Sequence, residues 1–239
     1  MRLSSQGTKF FVQSAAGAPT AAATAASKAA PAEITFAAAP AGIVEGDVVV
    51  PNGFGWRSLD GRPFAVGDVS SADPFTVELV GSDTTGELNA ATLGTLSEVT
   101  FGESCMATLT FTSPAGTTID VTTLCDTARE TISGLPAVST WQATGFWDAA
   151  DPMQKTLRDL YRSGQNVVFK CIFNDGSGFM FKASVNSFDV RVGVDQAIAY
   201  TVGGNISGPI TDLPIDPTMV AVEAPLMQGP TTLAAQPSA

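Results

Sequence analysis

Four stretches of this 239-residue chain carry residue types that could do chemistry. Gly81-Ser82-Asp83-Thr84-Thr85-Gly86-Glu87-Leu88 has the glycine spacing of a phosphate-binding loop. Glu87 stands where that loop needs a lysine, and Leu88 where a Ser or Thr would hold magnesium. The charge is reversed, so the stretch reads as an ordinary loop. Asp148 and Asp151 could act as an acid–base pair. Both precede a predicted helix, where carboxylates cap exposed N–H groups. Asp175-Gly176-Ser177-Gly178 opens like a calcium loop but lacks the later oxygen ligands and the closing glutamate; it reads as a hairpin turn. Trp141 and Trp147, six apart in a predicted strand, would share one face. They are either core and subunit contact or a stacking platform for a sugar.

Composition narrows the field further. There is no histidine, which removes Ser-His-Asp and Cys-His catalysis and the commonest metal ligand. The cysteines, Cys105, Cys125 and Cys171, fit neither a zinc site nor a C-x-x-C redox pair, and read as small buried hydrophobes. No catalytic residue, cofactor or metal is expected, and the reading is not that of an enzyme. The net charge is −11, where a sequence-specific DNA binder would show a basic face. An acidic protein still suits nucleic acid as a conduit that must not stick. Met1–Phe11 lacks the apolar core of a signal peptide, and no apolar run is long enough to span a membrane.

The elements that would position these residues are mostly strands. Gly7–Ser14 reads as a first strand. From Ser14 to Ala32, 11 of 19 residues are alanine, without the apolar stripe a helix would bury; this reads as linker or weak edge strand. Residues 20–95 read as a separate small β module with strands near Ile34–Phe36, Asp47–Val50, Arg62–Val69 and Pro74–Val80. The module holds nine acids and three bases, so over half of the net charge lies there. Glu98–Phe111 follows as one long strand, interrupted near Gly102, then Thr117–Leu124, Glu130–Leu135 and Ser139–Trp147. Val167–Asn174 and Phe179–Phe188 form a predicted hairpin, with Phe169, Cys171 and Phe173 on one face and Phe179, Phe181, Ala183 and Val185 on one face. Lys170 and Lys182 project from the opposite faces. Ala197–Ile206 is the last strand. Pro152–Ser163 is the one predicted helix, with Asp151 as N-cap, Pro152 at N1 and Gly164 as its stop. Met153, Leu157, Leu160 and Tyr161 make its buried stripe. From Ser207 the chain holds six prolines and reads as an extended arm.

In combination, several motifs resemble one family. They are Trp141-Gln142-Ala143-Thr144-Gly145, the Asp151-Pro152-Met153-Gln154-Lys155-Thr156-Leu157 helix opening, Ser163-Gly164, the strand and turn Val168–Phe173 with Asp175-Gly176, then Gly193-Val194-Asp195 and Tyr200–Ile206. Thr122-Thr123-Leu124 through Arg129–Leu135 resembles that family's extended loop. The family is the tail tube (major tail) proteins of long, flexible-tailed, siphovirus-like bacteriophages, and the resemblance covers roughly 96–208 plus Gly7–Gln13. It implies a mainly β fold, a tail-tube β-sandwich or half-barrel with one flanking α-helix. Here a small inserted all-β module is added, marked by Glu45–Val49 and Leu59–Phe64.

On this reading 1–19 is the first strand of the tube core, 20–95 the inserted acidic β module, 96–208 the core, and 209–239 a Pro-rich C-terminal arm. The resemblance further implies six copies closed into a ring and stacked into a tube that conducts double-stranded DNA without sequence-specific binding. Tape-measure, terminator and distal tail proteins would be partners, and the site of action the virion tail, assembled in the host bacterial cytoplasm. Thr122, Thr123, Arg129 and Glu130 would make inter-ring or inter-subunit contacts. Trp141, Trp147, Met153, Leu157, Leu160, Tyr161, Phe169, Phe173 and Phe181 would pack the core and the helix. The alternatives are a single-ring tail protein of the same fold (terminator or distal tail) and a carbohydrate-binding β-sandwich using the two tryptophans. The acidic module is expected on the outer surface of a tube.

Overall fold

A computed structural model describes residues 8–89, 91–113, 116, 118–120, 128, 131–133, 138–194 and 196–213. In chain order the first strands are β1 (Lys9–Pro19), β2 (Ala25–Ala26), β3 (Ala32–Phe36), β4 (Val48–Asn52), β5 (Phe64–Val69), β6 (Phe75–Val80) and β7 (Thr95–Ser104). Then come β8 (Thr108–Thr112), β9 (Thr118–Asp120), β10 (Thr131–Ser133), β11 (Thr140–Phe146) and the helix α1 (Pro152–Ser163). The chain continues through β12 (Asn166–Ile172), β13 (Gly178–Ser184), β14 (Ser187–Arg191), β15 (Ala199–Asn205) and β16 (Thr211–Leu213). The fold is mainly β, with one helix among the described residues.

The strands form a large sheet of order β16-β13-β12-β1-β7-β4-β5-β6-β3-β2 and a small sheet of order β14-β15-β11-β8, with β9 and β10 paired to each other. One face of the large sheet packs on the small sheet. Phe10, Val12, Phe169, Cys171, Phe181 and Ala183 meet Trp141, Ala143, Tyr200 and Val202 there. The period of two along each strand produces this, since alternate residues point into the same layer. Trp141 is the hub, with its ring centroid 4.6 Å from Phe169 and 6.0 Å from Phe10. Met153, Leu157 and Leu160 of α1 close the same core.

The helix is delimited by its sequence. Asp151 Oδ1 accepts the Met153 N–H at 2.8 Å, and Pro152 sits in the first turn, where its missing N–H is harmless. Gly164 takes the left-handed conformation at φ 63° and donates its N–H to the Leu160 carbonyl, which ends the helix.

Residues 20–95 continue the large sheet, because β4 pairs with β7 from Val49↔Glu98 to Asn52↔Thr95. They also carry their own core, built on Trp56, Phe54, Phe64, Phe36 and Leu59. Asp60 holds the loop before β5, accepting the N–H groups of Phe54 and Gly55 at 2.8 and 2.7 Å. The opposite face of the large sheet curls onto itself. Val168 and Met180 from one side meet Val48, Ala65 and Val99 from the other. Lys182 donates to the Gly61 carbonyl at 3.2 Å inside this curl, and Lys170 lies over the rings of Phe11 and Phe101 at 5.2 and 4.8 Å.

Several strand boundaries differ from the sequence reading. Glu98–Phe111 is two strands in different sheets. The break lies at Cys105–Ala107, not near Gly102, and the chain crosses there from the large sheet to the small one. Gly102 sits inside β7, and the missing Cβ makes room for the Met153 thioether. Phe179–Phe188 is likewise divided after Ser184, and Phe188 belongs to β14 in the other sheet. The first strand runs on to Pro19, so part of the alanine-rich stretch is sheet, and Ala25–Ala26 is an edge strand. The segment after Ser207 includes β16, which pairs with β13.

Gly204 lies where the backbones of the two sheets come close. A Cβ there would collide with the Ser184 carbonyl oxygen, a backbone atom that cannot turn aside. Gly204→Ala should therefore destabilise the chain by about 3 kcal/mol, the upper end of overpacking costs. Urea unfolding followed by tryptophan fluorescence measures it, and a wild-type midpoint would refute the tight crossing.

Candidate functional site: a small sheet with two open edges

The small sheet has one buried face and one solvent face. Along β11, Trp141, Ala143 and Gly145 are buried, while Thr140, Gln142 and Phe146 are exposed. Register carries this alternation across the sheet. Thr144 faces Thr108 on one side and Thr201 on the other, and the Thr108 and Thr144 hydroxyls hydrogen-bond at 2.5 Å. A shallow depression on this face is lined by Thr110, Gln142, Ser187 and Asn205, among others. The face is hydroxyl- and amide-rich. Its charges among the described residues are Asp189 and Arg191, both on β14 at the edge.

All neighbouring strands in the small sheet are antiparallel. β8 and β14 are its outermost strands, and among the described residues neither has a partner on its outer side. Each therefore presents a row of unpaired N–H and C=O groups. The alternation makes β14 run opposite to β8.

The residues singled out from sequence are placed as follows. Trp141 is buried, its indole N–H directed at the Ser184 carbonyl at 3.4 Å. Trp147 lies beyond the end of β11 and is half-buried beneath the Arg158 guanidinium, 5.0 Å from its ring. The two rings therefore share no strand face, because the strand ends at Phe146, and they form no stacking platform. Met153, Leu157 and Leu160 are buried, but Tyr161 is 47% exposed. Gln154 is buried instead. Its Nε2 donates to the Phe146 carbonyl at 3.0 Å and its Oε1 accepts the Asp148 N–H at 3.1 Å, so it satisfies the backbone where β11 ends. Phe169 and Phe181 are buried, and Phe173 is half-buried against Phe179. Thr122, Thr123, Arg129 and Glu130 lie outside the described residues, between β9 and β10. The pairs Thr118↔Ser133 and Asp120↔Thr131 hold the two ends of that stretch together.

The other chemical candidates are structural. Asp148 Oδ1 accepts the Ala150 N–H at 2.9 Å, closing the turn before the helix that Asp151 caps. Asp175 accepts the Ser177 N–H and hydroxyl at 3.0 and 2.6 Å, which closes the hairpin turn. In the 81–88 loop the Thr85 hydroxyl and N–H lower the pKa of Asp83, and the Ser58 hydroxyl and N–H do the same for Glu87. Thr84 is buried and bonded to Ser27 and Ala29. The loop is filled by its own hydrogen bonds. Among the described residues no cluster of His, Cys, Asp and Glu could hold a metal ion.

No protein-family model matches the chain, and no curated protein matches it in sequence. Among solved structures, the chain is similar to one in the virion of a native gene transfer agent particle. That match has 18% identity and a TM-score of 0.40, covering 48% of this chain and 89% of the other. It is also similar to the SPP1 tail tube (19%, TM-score 0.40, 50% and 73% covered). A third match is the tail of an empty gene transfer agent particle with C6 symmetry (19%, TM-score 0.36, 45% and 79% covered).

Cys105 is exposed and Cys171 buried, and burial pushes the Cys171 thiol up to about 11. A raised thiol pKa keeps the protonated, unreactive form at neutral pH. In a Cys125→Ser background, maleimide at pH 7 should modify one thiol per folded chain, at Cys105, and the second only after unfolding. Mass spectrometry reads the site, and rapid labelling of Cys171 in the folded chain would contradict the packing.

Proposed function

We propose that this chain is a structural subunit of a phage-type tail tube, and that copies close into rings by pairing β14 of one with β8 of the next. One observation carries the reading: among the described residues the small sheet is open on both edges, and its two edge strands run in opposite directions. When the sheet continues around a ring, β14 meets the neighbour's β8 antiparallel, and every edge finds a partner. Closure also removes the aggregation hazard that open edges create in a monomer.

The sequence resemblance supplies the number of copies. Six copies of a four-stranded sheet give a barrel about 48 Å across, at about 4.8 Å per strand and a tilt of about 40°. After side chains, that bore admits a DNA duplex. The hydroxyl- and amide-rich face would line it. Such a face offers phosphates few cations, so DNA slides rather than binds. Lys170 and Lys182 stay out of the bore, since both are engaged in the curl of the large sheet. That sheet lies behind the small one, at larger radius, and carries residues 20–95 with their acidic excess outward. On this account 1–19 and 96–208 form the tube core, β16 adds an edge strand to it, and the rest of the Pro-rich segment serves as an arm. The segment between β9 and β10, with Thr122, Thr123, Arg129 and Glu130, reaches the next ring. Tape-measure, terminator and distal tail proteins would be the partners along the tail.

A single-ring tail protein of the same fold is the second reading, and the same open edges favour it equally. Electron microscopy of concentrated protein separates the two. Stacked tubes support a tube subunit, rings that never stack support the single-ring reading, and monomers under every condition contradict both. A proline scan across Thr108–Thr112 tests the edge itself. Proline at positions whose N–H points outward should abolish assembly while leaving the thermal midpoint of the monomer near wild type. Assembly that survives every such substitution would exclude β8 from the interface.

A further inference from the structure

The two ends of the small sheet differ in shape and chemistry. The chain leaving β14 carries exposed apolar side chains. Val192 is 74% and Val194 90% exposed, just beyond Val190, which faces the buried Tyr200. Arg191 lies exposed between the valines. At the opposite edge, where the chain crosses from β7 to β8, there is a groove of about 580 Å³. Its apolar wall includes Met106, Phe146 and Trp147, and Glu103, Asp148 and Asp151 also line it. Phe146 is 63% exposed, and the Cys105 thiol belongs to the same groove. Exposed apolar surface on both features marks contact sites.

Register places both at the same end of the sheet. Arg191 faces Ala199, Ala199 faces Phe146, and Thr144 faces Thr108 at the start of β8. Within one copy the groove abuts the β15 arm of the β14–β15 hairpin, the Trp147 N–H donating to the Ile198 carbonyl at 2.8 Å, but Val192 and Val194 stay exposed and β14 stands about 14 Å, three strand spacings, from β8. Between copies the distance vanishes. Antiparallel pairing of β14 with a neighbour's β8 brings the end of one strand beside the start of the other.

We infer that the β14–β15 hairpin of one copy seats in the Met106–Phe146–Trp147 groove of the next, a knob and socket at each subunit boundary. This rests on the ring reading above. Val192 and Val194 cover the apolar wall, and Arg191 approaches Asp148. Asp148 accepts the Ala150 N–H through Oδ1, which leaves Oδ2 for the partner. Glu103 is shared with Lys9 at 3.6 Å, both half-exposed, and Asp151 is committed to the helix cap. Apolar surface meets apolar surface and a cation meets a carboxylate, so the match fixes the register of the edge pairing as well as adding contact. The open edges alone do not set that register.

The test is cross-linking in assembled protein. Val192→Cys, in a Cys125→Ser background that keeps Cys105, is treated with diamide, which takes two electrons and two protons from a thiol pair, or with a short bismaleimide. A second variant, Thr110→Cys with Asp189→Cys in a background lacking Cys105 and Cys125, reports edge pairing alone. The inference predicts a ladder of covalently joined subunits from Val192→Cys, lost when Cys105 becomes Ser. Edge cross-links without that ladder, or a ladder that survives Cys105→Ser, overturn the knob and socket and leave the ring standing. Failure of both variants to cross-link overturns the ring and the socket together.

Discussion

The aromatic clamp on Trp141 is the interaction on which the rest of this structure depends. Trp141, Phe169, Phe181 and Phe10 pack between the two sheets, with ring centroids from 4.6 to 6.2 Å apart along the contacts of Trp141. That contact takes up one face of the small sheet. It leaves the other face wet and, among the described residues, both edges unpaired, and the large sheet and α1 lie behind it. A sheet held rigidly by one face is suited to being extended at its edges, because its twist is set before a neighbour arrives. Gly204 and Gly102 serve the same clamp by letting backbone and the Met153 thioether approach where a side chain would stand.

Charge is sorted in line with this geometry. The chain carries −11 overall, yet the solvent face of the small sheet is nearly free of charge. The acids concentrate in residues 20–95, on the far strands of the large sheet and the loops between them. A face lined by threonine, glutamine and asparagine neither grips phosphate nor repels it strongly, and the acids elsewhere favour solubility by mutual repulsion. Two lysines of the β12–β13 hairpin are held away from this face, Lys182 by the Gly61 carbonyl and Lys170 over two phenylalanine rings.

Much of this was legible in the sequence where the signal is local. Asp151, Pro152 and Gly164 delimit α1 because caps act within one turn, and the β12–β13 hairpin shows in its alternation and its Asp175-Gly176 turn. What was not legible depends on distant partners. Alternation through Glu98–Phe111 looks the same whether the chain stays in one sheet or changes sheets, so the crossing at Cys105–Ala107 left no local mark. Tyr161 fits an apolar stripe by type, but Gln154 is buried because the end of β11 leaves backbone groups that need partners. Trp147 continues the strand pattern by residue type, but the strand stops one residue earlier. The chemical candidates were legible by what they lacked, since Glu87 and Leu88 already forbid a phosphate loop. The open edges themselves are a property of topology and appear only once strand order is known.

The central claim is that β8 and β14 are the surfaces through which copies join. Amide hydrogen exchange, compared between monomer and assembly, tests it most directly. The account predicts that outward-facing amides in Thr108–Thr112 and Ser187–Arg191 exchange fast in the monomer and slow sharply on assembly, while those of β11 and β12 are protected in both. Assembly that protects other segments and leaves both edges exchanging at the monomer rate would contradict it.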